Sequence, residues 1–155
     1  MRERLFEASD CIVMMLLLSV LIYFSAVFNA FVHEAGHYIA LVALGRPAYI
    51  SVRSFIPIIE IVTTTAPLPI DAASSAVIGF AGGAFAAMMS LIIFVLVNSR
   101  IIKSLFSFYV AFNVTYAFTE GLGNIYHCPG AAYVYAIPAA IGIFVFFVYI
   151  ELNGR

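Results

Sequence analysis

Charge is what this chain has least of. Only 10% of its 155 residues are Asp, Glu, Lys or Arg, against about 25% in a typical soluble domain. Seven basic and eight acidic residues leave a net charge of −1. That balance excludes nucleic acid as a partner, because phosphate binding needs a basic excess. Cysteine is also sparse. Cys11 opens the first apolar run and Cys128 follows the third, so an odd number of crossings separates them and puts them near opposite membrane faces. A disulfide needs Cα atoms within about 7 Å, so two free thiols are expected and the redox compartment is not legible. No low-complexity segment and no internal repeat is visible. The first apolar run is too long for a secretory signal and leads to no small-residue cleavage site. What fills the chain instead is apolar: 65% of residues are hydrophobic and the mean hydropathy is +1.10. The expectation is an integral membrane protein, one membrane-embedded domain over residues 1–155, with the lipid bilayer as its main solvent.

A crossing helix needs about 20 apolar residues. The pattern supplies about four, making an all-α polytopic membrane protein: residues 12–44, 72–97, 101–127 and 131–152. The first is too long for one upright crossing, and Gly45, Arg46 and Pro47 end it. The second carries Gly79, Gly83 and Ala87 at every fourth position with Gly82 beside them, a spacing that lets helix backbones approach closely in lipid. Asp71 precedes it as a loop residue or helix cap. Asn98-Ser99-Arg100 is a turn, Pro129-Gly130 stops the third span, and Pro138 is expected to kink the fourth or mark its first turn.

Residues 48–65 read differently. Tyr49, Ile50, Val52, Phe55, Ile58, Ile59, Ile61, Val62 and Thr63 to Thr65 are β-branched or aromatic, and Pro57, Pro67 and Pro69 punctuate the stretch. Two short strands forming a membrane-associated hairpin are expected, with an irregular connecting loop as the alternative. With four crossings, Arg2, Arg4, Arg100, Lys103 and Arg155 fall on one side and Arg46 and Arg53 on the other. The positive-inside rule then places both termini in the cytoplasm and the far end of the first span toward the outer face.

At that far end stand three ionisable residues inside an apolar helix: His33-Glu34-Ala35-Gly36-His37. Residues four apart share a helix face, so His33 and His37 can hold one Zn2+ between them, and Glu34 can act as general base toward an attacking water. A catalytic zinc takes three protein ligands as a rule. Glu120 is the first candidate for the third, because a carboxylate inside a span carries a penalty of roughly 2.5–3.5 kcal/mol unless something pairs with it. At about 100° per residue, Asn113, Glu120, Asn124 and His127 lie within about 60° of one another, with Tyr116 flanking the same face. Odd-numbered spans run in the same direction, and Glu120 lies about as far along the third as His33 along the first. His127 is the alternative third ligand. It stands two turns beyond Glu120, roughly 10.5 Å along the axis, so reaching the same ion requires a helix break at Gly121 or Gly123. Asn124 is placed to bond the Glu120 carboxylate, and Asn113 to donate to a substrate carbonyl or developing oxyanion. Interhelical hydrogen bonding is the other reading for both asparagines.

The segment Phe31 to Pro57, FVHEAGHYIALVALGRPAYISVRSFIP, resembles the active-site helix and following strand of the site-2 protease family, the intramembrane zinc metalloproteases. In that family an apolar helix carries HExxH, usually with glycine before the second histidine, ends at a glycine and enters a β-rich membrane-associated element. The family's third ligand is an aspartate in a later span, followed by glycine and preceded by an asparagine. Glu120-Gly121 with Asn113 is similar to that element, with glutamate for aspartate and without the family's proline between them. The stretch GFAGGAFAA is similar in position to the family's small-residue helix, without its Gly-Pro and asparagine pattern. The resemblance implies a zinc-dependent endopeptidase that cleaves in or near transmembrane segments of membrane proteins. Two other classes stay open: a non-proteolytic metal-binding or pseudoprotease membrane protein, and a small helical scaffold or transport subunit.

Overall fold

The structure is a computed structural model and describes residues 2–54, 60–65, 70–126 and 132–153. The hairpin tip with Pro57, the segment holding Pro67 and Pro69, and the third connection with His127, Cys128 and Pro129 lie outside the described residues. The element order is α1 (Arg2–Ala43), β1 (Ala48–Ser54), β2 (Glu60–Thr65), α2 (Ala72–Leu96), α3 (Arg100–Ile125) and α4 (Ala132–Asn153). Four helices are long and apolar enough to cross a membrane, and a small antiparallel sheet lies between the first two. This is a multi-pass, all-α membrane architecture with a β-hairpin insertion.

Helix α1 is longer than expected. Its apolar crossing stretch runs Cys11–Ala43, as expected, but the helix itself begins at Arg2, because Arg2 to Asp10 is free of proline and glycine and rich in good helix formers. Its 42 residues extend about 63 Å at 1.5 Å each, twice the roughly 30 Å of a hydrocarbon core. It stops sharply. Gly45 takes φ +70, its amide bonds Val42 O at 2.9 Å, and the Arg46 amide bonds Leu41 O at 2.9 Å. These paired bonds define a Schellman cap, which a left-handed glycine allows without strain. Pro47 then prevents further helix, and the chain enters β1. The strands pair from Ala48 with Thr65 to Val52 with Ile61, with an irregularity between Val52 and Ser54.

At the start of α2, Asp71 is the cap. Its Oδ1 accepts from the Ser74 amide at 2.9 Å, and its Oδ2 from the Ser74 hydroxyl at 2.6 Å. Those two bonds hold the Asp71 carboxyl below its ordinary value. Helix α2 packs most extensively on α3, then α3 on α4 and α1 on α2. Its buried residues are all small: Gly79, Gly82, Gly83, Ala86, Ala87 and Ser90. A side chain on Gly83 would run into the backbone of Ala117 and Asn113, so this stripe is where two helix backbones meet. Pro138 sits inside α4, beyond its first turn, and is fully buried.

The outer surface is lipid-like. Leu17 is 65% exposed and Phe144 68%. In water such a continuous apolar surface would aggregate; in a bilayer it is the solvated face. An apolar groove of about 710 Å³ opens between the amino-terminal half of α1 and helices α3 and α4, lined by residues such as Leu18, Phe108 and Phe146. Arg100 also lines it, and none of His33, Glu34, His37 or Glu120 does.

Candidate metal centre

Helices α1 and α3 are joined by polar contacts at successive turns. The Ser25 hydroxyl meets the Tyr109 hydroxyl at 3.2 Å. Asn113 Nδ2 donates to Asn29 Oδ1 at 2.6 Å, and Asn29 Nδ2 returns a bond to Asn113 Oδ1 at 3.4 Å. One turn further along α1, and two along α3, His33 meets Glu120. Ser25, Asn29, His33 and His37 are four apart and share one face of α1, which is how one helix supplies every level of this ladder.

At the last level three side chains converge. His33 Nε2 lies 3.2 Å from Glu120 Oε2, His37 Nε2 lies 3.4 Å from Glu120 Oε1, and the two imidazole nitrogens are 2.9 Å apart. The candidate ligand atoms all fall within 4.8 Å of one another. A tetrahedral ion with bonds of 2.0–2.1 Å holds its ligand atoms about 3.3 Å apart, so these separations suit a single ion.

The hydrogen bonding fits as well. His37 Nδ1 lies 2.7 Å from Ile78 O. A carbonyl only accepts, so Nδ1 carries the proton, and the neutral ring then turns its lone pair toward the cluster through Nε2. Such a carbonyl is the usual second partner of a metal-binding histidine. Glu120 Oε2 is buried and, among the described residues, takes part in no hydrogen bond, its close neighbour being His33 Nε2. Gly82 of α2 forms the floor. A Cβ there would stand 2.5 Å from His37 Nε2 and 2.8 Å from His33 Nε2, so glycine preserves the space next to both nitrogens. Tyr116 forms a wall, its ring 5.0 Å from that of His33 and stacked on Phe112 at 5.5 Å.

The cluster borders a cavity of about 300 Å³ beneath the hairpin, whose lining includes Glu34, His37, Thr63, Ser75, Glu120 and Asn124. Two carboxylates face this space, and among the described residues no lysine or arginine lines it. A divalent cation would neutralise both, an arrangement that a low-dielectric site favours. Two imidazoles and a carboxylate form a donor set suited to zinc, and equally the set used by non-haem Fe(II) sites.

Glu34 does not join the three converging side chains. Its Oε2 accepts from the Thr63 amide at 2.7 Å, and its main-chain carbonyl accepts from the Thr63 hydroxyl at 2.8 Å. The two asparagines differ from the expected catalytic roles. Asn113 is fully buried and both its amide atoms are spent on Asn29, so it faces α1 and not the cavity. Asn124 lines the cavity, but its Nδ2 donates to Ser75 O at 3.1 Å rather than to the Glu120 carboxylate. Both make interhelical bonds, the other reading open at the outset. Helix α3 runs unbroken past Gly121 and Gly123 to Ile125, so neither glycine breaks it; the alternative ligand His127 lies outside the described residues. Sequence reasoning missed Gly82, Thr63 and the partnership of Asn29. Asn29 left a usable signal, one turn before His33 and on the same face. Comparison of the chain with protein-family models, curated proteins and solved structures finds no match.

Proposed function

We propose that this protein is a zinc-dependent intramembrane endopeptidase of the site-2 protease type, hydrolysing peptide bonds in or near transmembrane segments of membrane proteins. The observation that carries the proposal is the convergence of His33, His37 and Glu120 beside a cavity that also holds Glu34. His33, His37 and Glu120 would hold the zinc, which when bound polarises a scissile carbonyl and makes water acidic enough to attack near neutral pH. Glu34 takes the proton of the attacking water and passes it to the leaving amine as the C–N bond breaks. Its Oε1 has no hydrogen bond among the described residues, which leaves that oxygen available for the proton. Ile78 keeps His37 in one tautomer, and Tyr116 limits the rotation of His33. A helical peptide bond is shielded by its neighbours, so the substrate must unwind before attack. The hairpin of β1 and β2 offers strand addition as a way to hold the unwound segment. With both termini cytoplasmic, the centre lies toward the outer face.

Glu34→Gln provides the test. The purified variant in lipid nanodiscs should keep one zinc per chain and lose cleavage of a transmembrane reporter by about 10²–10⁴-fold, the usual contribution of a general base. Undiminished cleavage would refute the mechanism. Zinc in the wild type without cleavage would point to a metal-binding or pseudoprotease role, and a wild type without metal to a scaffold.

A further inference from the structure

The geometry points to Thr63 as the positioning residue for Glu34, with strand β2 acting as part of the catalytic apparatus and not only as a place for substrate. The inference rests on the reading of Glu34 as general base. Thr63 pairs with Ile50 across the hairpin. In an antiparallel ladder, alternate residues of an outer strand point their amides away from the partner strand, and such edge donors need another acceptor. The Thr63 amide finds Glu34 Oε2 at 2.7 Å, a short bond strengthened by the carboxylate charge. Its hydroxyl grips the Glu34 main-chain carbonyl at 2.8 Å. One residue therefore holds both the side chain and the backbone of Glu34. With Oε2 fixed, the carboxylate rotates little, and Oε1 is the oxygen presented for proton transfer. The hairpin reaches this position because the Schellman cap and Pro47 turn the chain back along α1, and the Thr65 hydroxyl anchors the return by donating to Pro47 O at 2.8 Å.

Two measurements test this, one without any need for activity. Hydrogen exchange at the Thr63 amide should quicken by about tenfold or more in Glu34→Ala, as expected on losing a charge-assisted acceptor. It should stay slow in Glu34→Gln, which retains an acceptor. Equal exchange in wild type and Glu34→Ala overturns the proposal and leaves the protease reading standing. The second measurement is kinetic. Thr63→Pro removes the amide at an edge position where proline is tolerated. It should lower kcat roughly 10- to 100-fold, the effect of a slightly misplaced reacting group, with KM and zinc content unchanged. Thr63→Val, lacking only the hydroxyl, should lower kcat less, and Thr63→Ser should restore it. Asp71→Ala, which loses the α2 cap bonds to Ser74 without touching Glu34 or the hairpin, controls for general loosening and should keep the wild-type kcat. A raised kcat in Thr63→Pro overturns the proposal by making the contact a restraint. A wild type that cleaves nothing refutes the protease reading, and the exchange result still decides whether Thr63 holds Glu34.

Discussion

Gly82→Ala is a one-carbon change that should weaken metal binding by about 100-fold or more without unfolding the protein. The new Cβ would stand 2.8 Å from His33 Nε2 and 2.5 Å from His37 Nε2, closer than carbon and nitrogen tolerate without movement. The imidazoles must turn aside, since Gly82 lies on a helix backbone packed against its neighbours. Turning His37 breaks its bond to Ile78 O, about 1 kcal/mol, and overpacking adds about 1–3 kcal/mol. Alanine in a helix returns about 1 kcal/mol relative to glycine. The net destabilisation of about 1–3 kcal/mol leaves a folded protein. The proposed metal site has no such compensation, because both nitrogens lose their aim together; misorienting ligands weakens metal affinity by about 10–100-fold, and displacing two should reach at least the upper end. The assay is metal content by mass spectrometry after dialysis against a buffered zinc series, alongside thermal unfolding. A folded Gly82→Ala protein with wild-type zinc affinity would refute the assignment of this space to a metal.

Other perturbations probe the supports of the site. In Gly36→Ala the Cβ meets backbone, lying 2.8 Å from Gly82 Cα and against Ala81 O, so α1 and α2 must separate. Unfolding should show a loss of about 1–3 kcal/mol or more, with metal affinity falling as a consequence. A double-mutant cycle on Asn29 and Asn113 should give a coupling of about 0.6 kcal/mol, the average for hydrogen bonds between membrane helices, and at most about 1.7 kcal/mol; zero coupling would remove that level of the ladder. The cap at Asp71 should be pH-dependent. Its folded-state pKa is lowered from 3.8, so its stabilisation is complete well above that value and fades as the pH falls through the lower folded value. The stability difference between wild type and Asp71→Ala should therefore shrink on acidification.

The fold was readable because lipid demands long apolar runs, and because β-branched residues, aromatics and prolines break that pattern between Gly45 and Asp71. The first span was legible to within a residue at each end, Cys11–Ala43 against the expected 12–44; that the helix continues outward to Arg2 was not, because hydropathy marks where lipid begins and the polar residues of Arg2 to Asp10 suit a helix equally well. In the site, His33, Glu34 and His37 stood out because ionisable residues are rare in an apolar helix. Glu120 followed from helical phase and depth, both of which are local arithmetic. Gly82 and Thr63 escaped for a shared reason. Their roles depend on which atoms of another element lie opposite them, and neither glycine spacing nor a run of threonines encodes that. Asn113 shows the same limit. Its position on the polar face was legible, but its choice of Asn29 over the cavity depends on how closely α1 approaches α3.

The central claim is that His33, His37 and Glu120 hold one zinc ion. Zinc-edge X-ray absorption on the purified protein tests it most directly, comparing wild type with Glu120→Ala. The expected result is one zinc per wild-type chain with two imidazoles and oxygen ligands at about 2.0–2.2 Å, and loss of stoichiometric zinc in Glu120→Ala. A wild-type protein without bound zinc, or a Glu120→Ala protein with an unchanged zinc spectrum, would contradict it.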